Sequence, residues 1–348
     1  MTIQENIPLA PLTTLQVGGA ARYFAAAASE HEVRVATEFA RSKQLPLFIL
    51  GGGSNVVVAD SGWPGFVLRV AIGGITRQST NDAALFGVGA GVDWEDFVAH
   101  AVASNCAGVE CLSGIPGSVG GTPVQNVGAY GQEVSDTIES VDVLDLQQDR
   151  SVVLPNEACR FRYRTSIFNT TDRGRYIILR VTYRLQQGGA PSLKYADLKK
   201  HVSSWTTPPS LSNVREAVRQ IRRSKGMLIV PGDDGCRSVG SFFKNPVLSE
   251  PQFQDLRRRA ELRGLDIPSY PALAAQRKVP AAWLVEHSGF SKGYTLGAAK
   301  ISTKHALALV NCGQASATDI LRLKEQIQNQ VQQSWGILLD PEPVFVGF

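Results

Sequence analysis

Residues 50–60 read LGGGSNVVVAD. An apolar run (residues 47–50) enters three successive glycines, two short polar residues follow, and a valine run leaves. Apolar runs broken by glycines read as a strand, a loop and a second strand. Gly51, Gly52 and Gly53 carry no side chains, so a ligand can come close to the backbone. Consecutive peptide N–H groups form a concave anion site, and Ser54 and Asn55 add side-chain donors. An ordinary turn has the same composition, so this segment alone names no ligand.

On both sides the element types alternate. Residues 31–43 place Val33, Ala36, Phe39 and Ala40 at helical spacing, and residues 65–70 read as a strand. Residues 83–89 then read as a strand and 94–104 as a helix. Residues 137–146, 150–154 and 176–186 make the middle strand-rich. Pro191, Pro208 and Pro209 mark a change, after which helices are expected over 212–225, 251–263, 281–287 and 317–335, with a strand at 306–310. The fold class expected is α+β. Residues 1–72, joined by an extended 337–348, are expected to form one subdomain, 73–211 a second, and 212–336 a C-terminal domain.

A chain of 348 residues with 43% hydrophobic and 19% charged residues suits a globular protein of two or three domains. The net charge of +4 is too mild to indicate nucleic acid. Cys106, Cys111, Cys159, Cys236 and Cys312 are odd in number and show no C-x-x-C spacing, which argues for reduced thiols and against a disulfide framework or a metal site. The first fourteen residues lack a basic and an apolar leader region, and no run approaches the ~18 apolar residues of a membrane helix. The expectation is a cytoplasmic protein with no membrane association, and no obligate protein partner is signalled.

A second glycine-rich stretch is harder to read as a turn. Ile115, Pro116, Gly117, Ser118, Val119, Gly120 and Gly121 lead through Gln125 and Asn126 to Gly128, Ala129 and Tyr130. Small residues and amides without periodicity suit a nucleotide cradle. Two other motifs fail. Gly87, Gly89 and Gly91 follow G-x-G-x-G, without the third spacing or the later acidic residue of a Rossmann site, and read as a tight strand-to-helix turn. No P-loop pattern occurs.

Five blocks in order, LGGGSNVVVAD, SGIPGSVGGTPVQNVGAYG, FRYRTSIF, GSFFKNP and DPEP, resemble the UDP-N-acetylenolpyruvoylglucosamine reductases, in the longer subclass with a tyrosine loop. The resemblance implies an FAD-binding region of the PCMH/vanillyl-alcohol-oxidase type followed by a substrate domain. It implies NADPH as co-substrate and the enolpyruvyl ether of a UDP-sugar as acceptor. Both glycine segments are then FAD contacts. Many oxidases of this fold carry a flavin-linked histidine in the first loop; Ser54 and Asn55 stand here instead, so the FAD is expected to be non-covalent.

Hydride addition to an enol ether conjugated to a carboxylate builds negative charge on that carboxylate, and the neighbouring carbon needs a proton. By resemblance Arg164 holds the carboxylate, Ser241 donates the proton, and Glu342 works with Arg164 or as a proton relay. Tyr163, Tyr195, Lys225 and Asn245 are the expected substrate contacts, with Arg222 and Arg223 near enough in sequence to meet a diphosphate. Spacing alone does not select Arg164, because Arg160, Arg162 and Arg164 would share one face of a strand. Two other readings remain: an FAD oxidase of the same fold with another substrate, and a nucleotide-binding sensor without catalysis. The family often carries an arginine where this chain has Val344.

Overall fold

A computed structural model describes every residue except Asn81, Ser204, Pro231, Asp234, Cys236, Leu273 and Ala274. The chain forms two compact units, each discontinuous in sequence. Residues 1–7, 21–53 and 64–224 make the first, and residues 8–20, 54–63 and 225–348 the second.

In the first unit one sheet runs Gln4–Pro8, Ala20–Ala27, Trp63–Val70, Leu47–Leu50. Leu47–Leu50 pairs in parallel with the Phe66–Arg69 part of its neighbour, so the first glycine loop leaves the C-terminal end of a parallel strand. Helix Glu30–Ser42 buries Val33, Ala36 and Ala40 in the same core as Phe66 and Leu68. Its N-cap is Ser29, whose hydroxyl accepts the Glu32 amide.

A second, antiparallel sheet runs Arg150–Pro155, Ile138–Asp145, Tyr176–Gln187, Ala83–Gly89, Ile75–Ser79. Its long strand Tyr176–Gln187 lines up Val181 with Val141 on one side and with Val88 on the other. Helix Trp94–Ala103 lays Trp94 and Phe97 on this sheet, with the Phe97 and Tyr183 rings stacked at 4.8 Å. Between that strand and helix lie Gly89 and Gly91, where a Cβ would come within 2.3 Å of Gly73 O and 2.4 Å of Ala71 C. They serve backbone packing at a tight turn, as their spacing indicated.

In the second unit Val344–Val346 pairs in parallel with Val56–Val58. Helix Ala317–Trp335 buries Ile320, Leu323, Ile327, Val331 and Trp335 on one stripe. Its N-terminus takes the Ser316–Asp319 capping box and also Asp60, whose carboxylate accepts the Ala317 and Thr318 amides at 2.7 and 3.0 Å. Asp60 thus fastens segment 54–63 to this unit.

Most expected elements stand within a residue or two, among them Leu47–Leu50, Ala83–Gly89 and Ala317–Trp335. The strand expected at 306–310 is Leu309–Asn311. Strands Gln4–Pro8, Ala20–Ala27 and Ile75–Ser79 and helix Ala196–Val202 lacked a strong period and were not foreseen. Helix Leu211–Ser224 belongs to the first unit, and both units draw on segments far apart in sequence. Cys106, Cys111 and Cys159 are buried and unpaired and Cys312 is exposed and unpaired; Cys236 lies outside the described residues. Among the described residues no helix is long and apolar enough to cross a membrane.

Candidate active site

Within the first unit the two glycine segments meet backbone to backbone. A Cβ on Gly52 would lie 2.5 Å from Gly117 Cα, and one on Gly51 2.9 Å from Ser118 Oγ. A side chain at Gly52 would meet backbone and force the loops apart, whereas one at Gly51 would displace only the Ser118 hydroxyl. The second segment is also tied to the sheet: Gly120 N donates to Ala90 O and Val119 N to Val92 O, both at 2.9 Å, while Gly117 O accepts from Trp94 N at 3.0 Å. Gly121 differs, since a Cβ there would meet nothing within 4 Å. Ser118 Oγ is buried and has no hydrogen-bond partner among the described residues. Bare backbone, open space over Gly121 and an unsatisfied buried hydroxyl fit the phosphates of a dinucleotide such as FAD.

Residues missed in the sequence hold this loop. The Gly114 amide donates to the Glu95 carboxylate, which also binds Arg215 and Arg219. Gly114 O accepts from Arg222 Nε at 2.9 Å. Arg222 was a candidate diphosphate contact, yet it is buried; burial pulls its pKa below the usual arginine value, opposed chiefly by Tyr130. The only sequence signal was its place among the apolar positions of a helix. Asn126 is 1% exposed and bonds inside the protein on both sides of its amide, to Glu133 Oε2 at 2.8 Å, Arg162 O at 3.2 Å and Ser135 N at 3.1 Å. It fastens the segment leading to Arg164 rather than standing open to a ligand.

Arg164 sits in a tight turn, with Arg162 and Thr165 exchanging both backbone bonds at 3.0 Å. Its φ is +57°, a left-handed conformation that few non-glycine residues adopt. Its Nη2 donates to Gly128 O at 2.8 Å, and its guanidinium lies 5.5 Å from the Tyr163 ring centre. Arg160 is left-handed too, at φ +50°, so the three arginines do not share one strand face. Tyr130, also left-handed, meets the half-exposed Tyr195 edge to face at 5.3 Å.

Within the second unit the segment bearing Ser241 pairs with the segment bearing Glu342. Glu342 N donates to Phe242 O at 2.9 Å, Phe243 and Pro341 form a bridge, and Lys244 N donates to Asp340 O at 2.9 Å. Lys244 Nζ also pairs with Asp340 at 2.7 Å. Phe242 and Phe243 are buried and anchor the ladder, leaving Ser241 half-buried at its end. Asn55 clasps the Glu342 segment: its Nδ2 donates to Glu342 O at 3.2 Å, and its backbone carbonyl accepts Val344 N at 2.9 Å. Ser54 O and Ser238 O both face the Thr14 hydroxyl, which donates at 2.7 Å to Ser238. Asn245 Oδ1 caps helix Ala281–Glu286 through the Ala281 amide at 2.9 Å. Lys225 is half-buried near His305; burial first, then Lys225 and Lys292, lower the imidazole pKa to about 4. Consistent with a neutral ring, His305 Nδ1 accepts the Leu307 amide at 3.1 Å.

Comparison with known proteins gives two family models. One is described as an FAD binding domain and matches residues 21–151. The other, the C-terminal domain of UDP-N-acetylenolpyruvoylglucosamine reductase, matches residues 231–346. The reductase of that name from Thermobifida fusca is 44% identical over 99% of this chain and 98% of its own. That from Streptomyces avermitilis is 44% identical over 99% and 96%. In three dimensions the chain is similar to the Thermus caldophilus reductase crystal structure, with a TM-score of 0.67 and 26% identity over 99% of this chain and 100% of that one. The α+β class and the order of an FAD-binding region before a C-terminal reductase region agree with expectation. Glycine cradle, serine–glutamate ladder and full-length similarity lead to one statement: the chain belongs to the UDP-N-acetylenolpyruvoylglucosamine reductase family.

Proposed function

We propose that this chain reduces the enolpyruvyl ether of UDP-N-acetylglucosamine to UDP-N-acetylmuramate, a step in peptidoglycan precursor synthesis, with FAD as cofactor and NADPH as reductant. Full-length similarity to reductases of that name supports the reaction. The observation that carries the chemistry is the ladder that holds Glu342 against the chain of Ser241. When bound, FAD accepts reducing equivalents from NADPH and supplies the hydride.

The protein's own residues handle charge and proton. Arg164, fixed by Gly128 O and by its turn, presents a planar fork to the substrate carboxylate, where negative charge develops. Ser241 gives its hydroxyl proton to the carbon next to the one reduced. A serine is a weak acid, so its placement by Phe242 and Phe243 matters more than its pKa. Glu342 returns a proton to that oxygen. Tyr163, Tyr195, Lys225 and Asn245 contact the UDP-sugar, and Gly51, Gly52, Gly53, Ser118 and Gly121 face the cofactor. The oxidase and sensor readings lose ground because the family similarity spans the whole chain and because Arg164, Ser241 and Glu342, the residues the resemblance implies, all stand in the sequence. The reading places the enzyme in the cytoplasm, beside its NADPH supply.

The test is NADPH oxidation by the purified yellow protein with and without the enolpyruvyl UDP-sugar. Substrate-dependent oxidation and flavin released by acid are expected. Rapid oxidation by oxygen alone would favour the oxidase, and a colourless protein that FAD cannot reconstitute would end every flavin reading.

A further inference from the structure

Glu110 is fully buried and has no role in the chemistry above. It opens the 3-10 turn Glu110–Leu112 of the first unit. Its Oε2 accepts the Gly108 amide at 2.8 Å, and its Oε1 accepts Gln132 Nε2 at 2.9 Å and the Ser192 amide at 2.8 Å. A buried carboxylate is costly unless donors surround it. Here the donors come from three segments.

Cys111 repeats two of the connections. Its amide donates to Gln132 Oε1 at 2.8 Å, and its Sγ donates to Ser192 O at 3.3 Å. Burial, and then the Glu110 charge, push the Cys111 thiol well above its ordinary pKa, so it stays a donor. Consecutive residues therefore grip both backbone groups of Ser192 and both ends of the Gln132 amide.

The gripped segments carry the two tyrosines. Gln132 faces Ala129 across the small hairpin that turns through Tyr130 and Gly131. Ser192 shortly precedes Tyr195. A Cβ on Gly131 would lie 3.2 Å from Lys194 Cβ and 3.5 Å from Tyr195 N, so hairpin and tyrosine segment pass at close range. Such a passage has little slack, and the Tyr130–Tyr195 ring contact depends on it.

We infer that Glu110 is a positioning residue for substrate affinity, which locks the segment bearing Tyr195 to the hairpin bearing Tyr130 from a site away from the reacting atoms. The inference rests on the reading of Tyr195 as a substrate contact.

Steady-state and stopped-flow kinetics of the FAD-loaded full chain test it. Glu110→Gln turns an N–H₂ toward converging donors, and Ser192→Pro deletes the Ser192 donor while sparing the Gly108 and Gln132 bonds. Each is expected to raise KM for the enolpyruvyl UDP-sugar about tenfold, with kcat and NADPH-driven flavin reduction nearly unchanged. In a Tyr195→Ala background neither should raise KM further. If Tyr195→Ala raises KM while Ser192→Pro and Glu110→Gln do not, the positioning role is wrong. Loss of kcat, flavin reduction and melting temperature together, at constant KM, would make the knot merely structural and also overturn it. An unchanged KM in Tyr195→Ala would instead remove the reading of Tyr195, and the inference with it. Should Glu110→Gln fail to fold, Ser192→Pro decides alone.

Discussion

The Glu342 amide donates to the Phe242 carbonyl at 2.9 Å, which zips the chain of Glu342 to the chain of Ser241. Local chemistry explains the choice of bond. Glu342 stands between Pro341 and Pro343, which have no N–H, so it is the one residue of the three able to donate. The flanking prolines also stiffen the strand, and Asn55 holds the Glu342 carbonyl on the other side. The backbone that carries the Glu342 carboxylate is thereby fixed beside the backbone that carries Ser241.

Replacing Ser241 by alanine is expected to leave NADPH-driven flavin reduction nearly intact and to slow the second half-reaction by on the order of 10²–10⁴-fold, the usual scale for a lost general acid. Stopped-flow absorbance of the flavin separates the two. A defect confined to the first half-reaction would show that the serine has another role.

Arg164→Lys keeps the charge but loses the fork that reaches Gly128 O while presenting a second N–H pair. We expect normal flavin content and a kcat lower by about 10²-fold, the scale of a lost anion-stabilising donor. Single-turnover reoxidation by substrate is the measurement, and a wild-type rate would exclude Arg164 from the reacting centre.

Two glycines separate fold from cofactor. Gly52→Ala drives a Cβ to 2.5 Å from Gly117 Cα, so both melting temperature and flavin content should fall. Gly121→Ala meets no protein atom within 4 Å, so the apo protein should melt as wild type while FAD binds more weakly. Calorimetry of the apo protein and an FAD titration would check this. Equal FAD affinity in Gly121→Ala would move the cofactor away from that position.

His305 gives stability a pH dependence. An imidazole free in the unfolded chain titrates near pH 6.5, but here burial and the adjacent lysines lower it to about 4. Between these values the unfolded chain binds the proton and the native one does not. The contribution is therefore complete above about pH 6.5 and is lost as pH falls toward 4. Melting temperature against pH in His305→Gln should have a shallower slope across that window. An unaltered slope would show that the ring titrates normally.

Much of this protein can be read locally. Glycine triplets, apolar periods and the DPEP and GSFFKNP blocks act over a few residues, which is why Leu47–Leu50, Ala317–Trp335 and the family are legible in the sequence alone. Tertiary structure decided what depends on distant partners. Segment 54–63 joins the C-terminal unit because Val56–Val58 finds its ladder at Val344–Val346 and Asp60 caps a helix that starts at Ala317. Arg160, Arg162 and Arg164 suggested a strand face by their alternation, but the turn at Arg162–Thr165 and two left-handed residues broke it. Asn126 was expected as a cofactor contact and Asn245 as a substrate contact, and only the fold shows that Asn126 closes on Glu133, Arg162 and Ser135 and that Asn245 Oδ1 caps at Ala281. Glu110 left no trace in the sequence, because a buried carboxylate is defined by donors that Gly108, Gln132 and Ser192 bring to it only after the chain has closed.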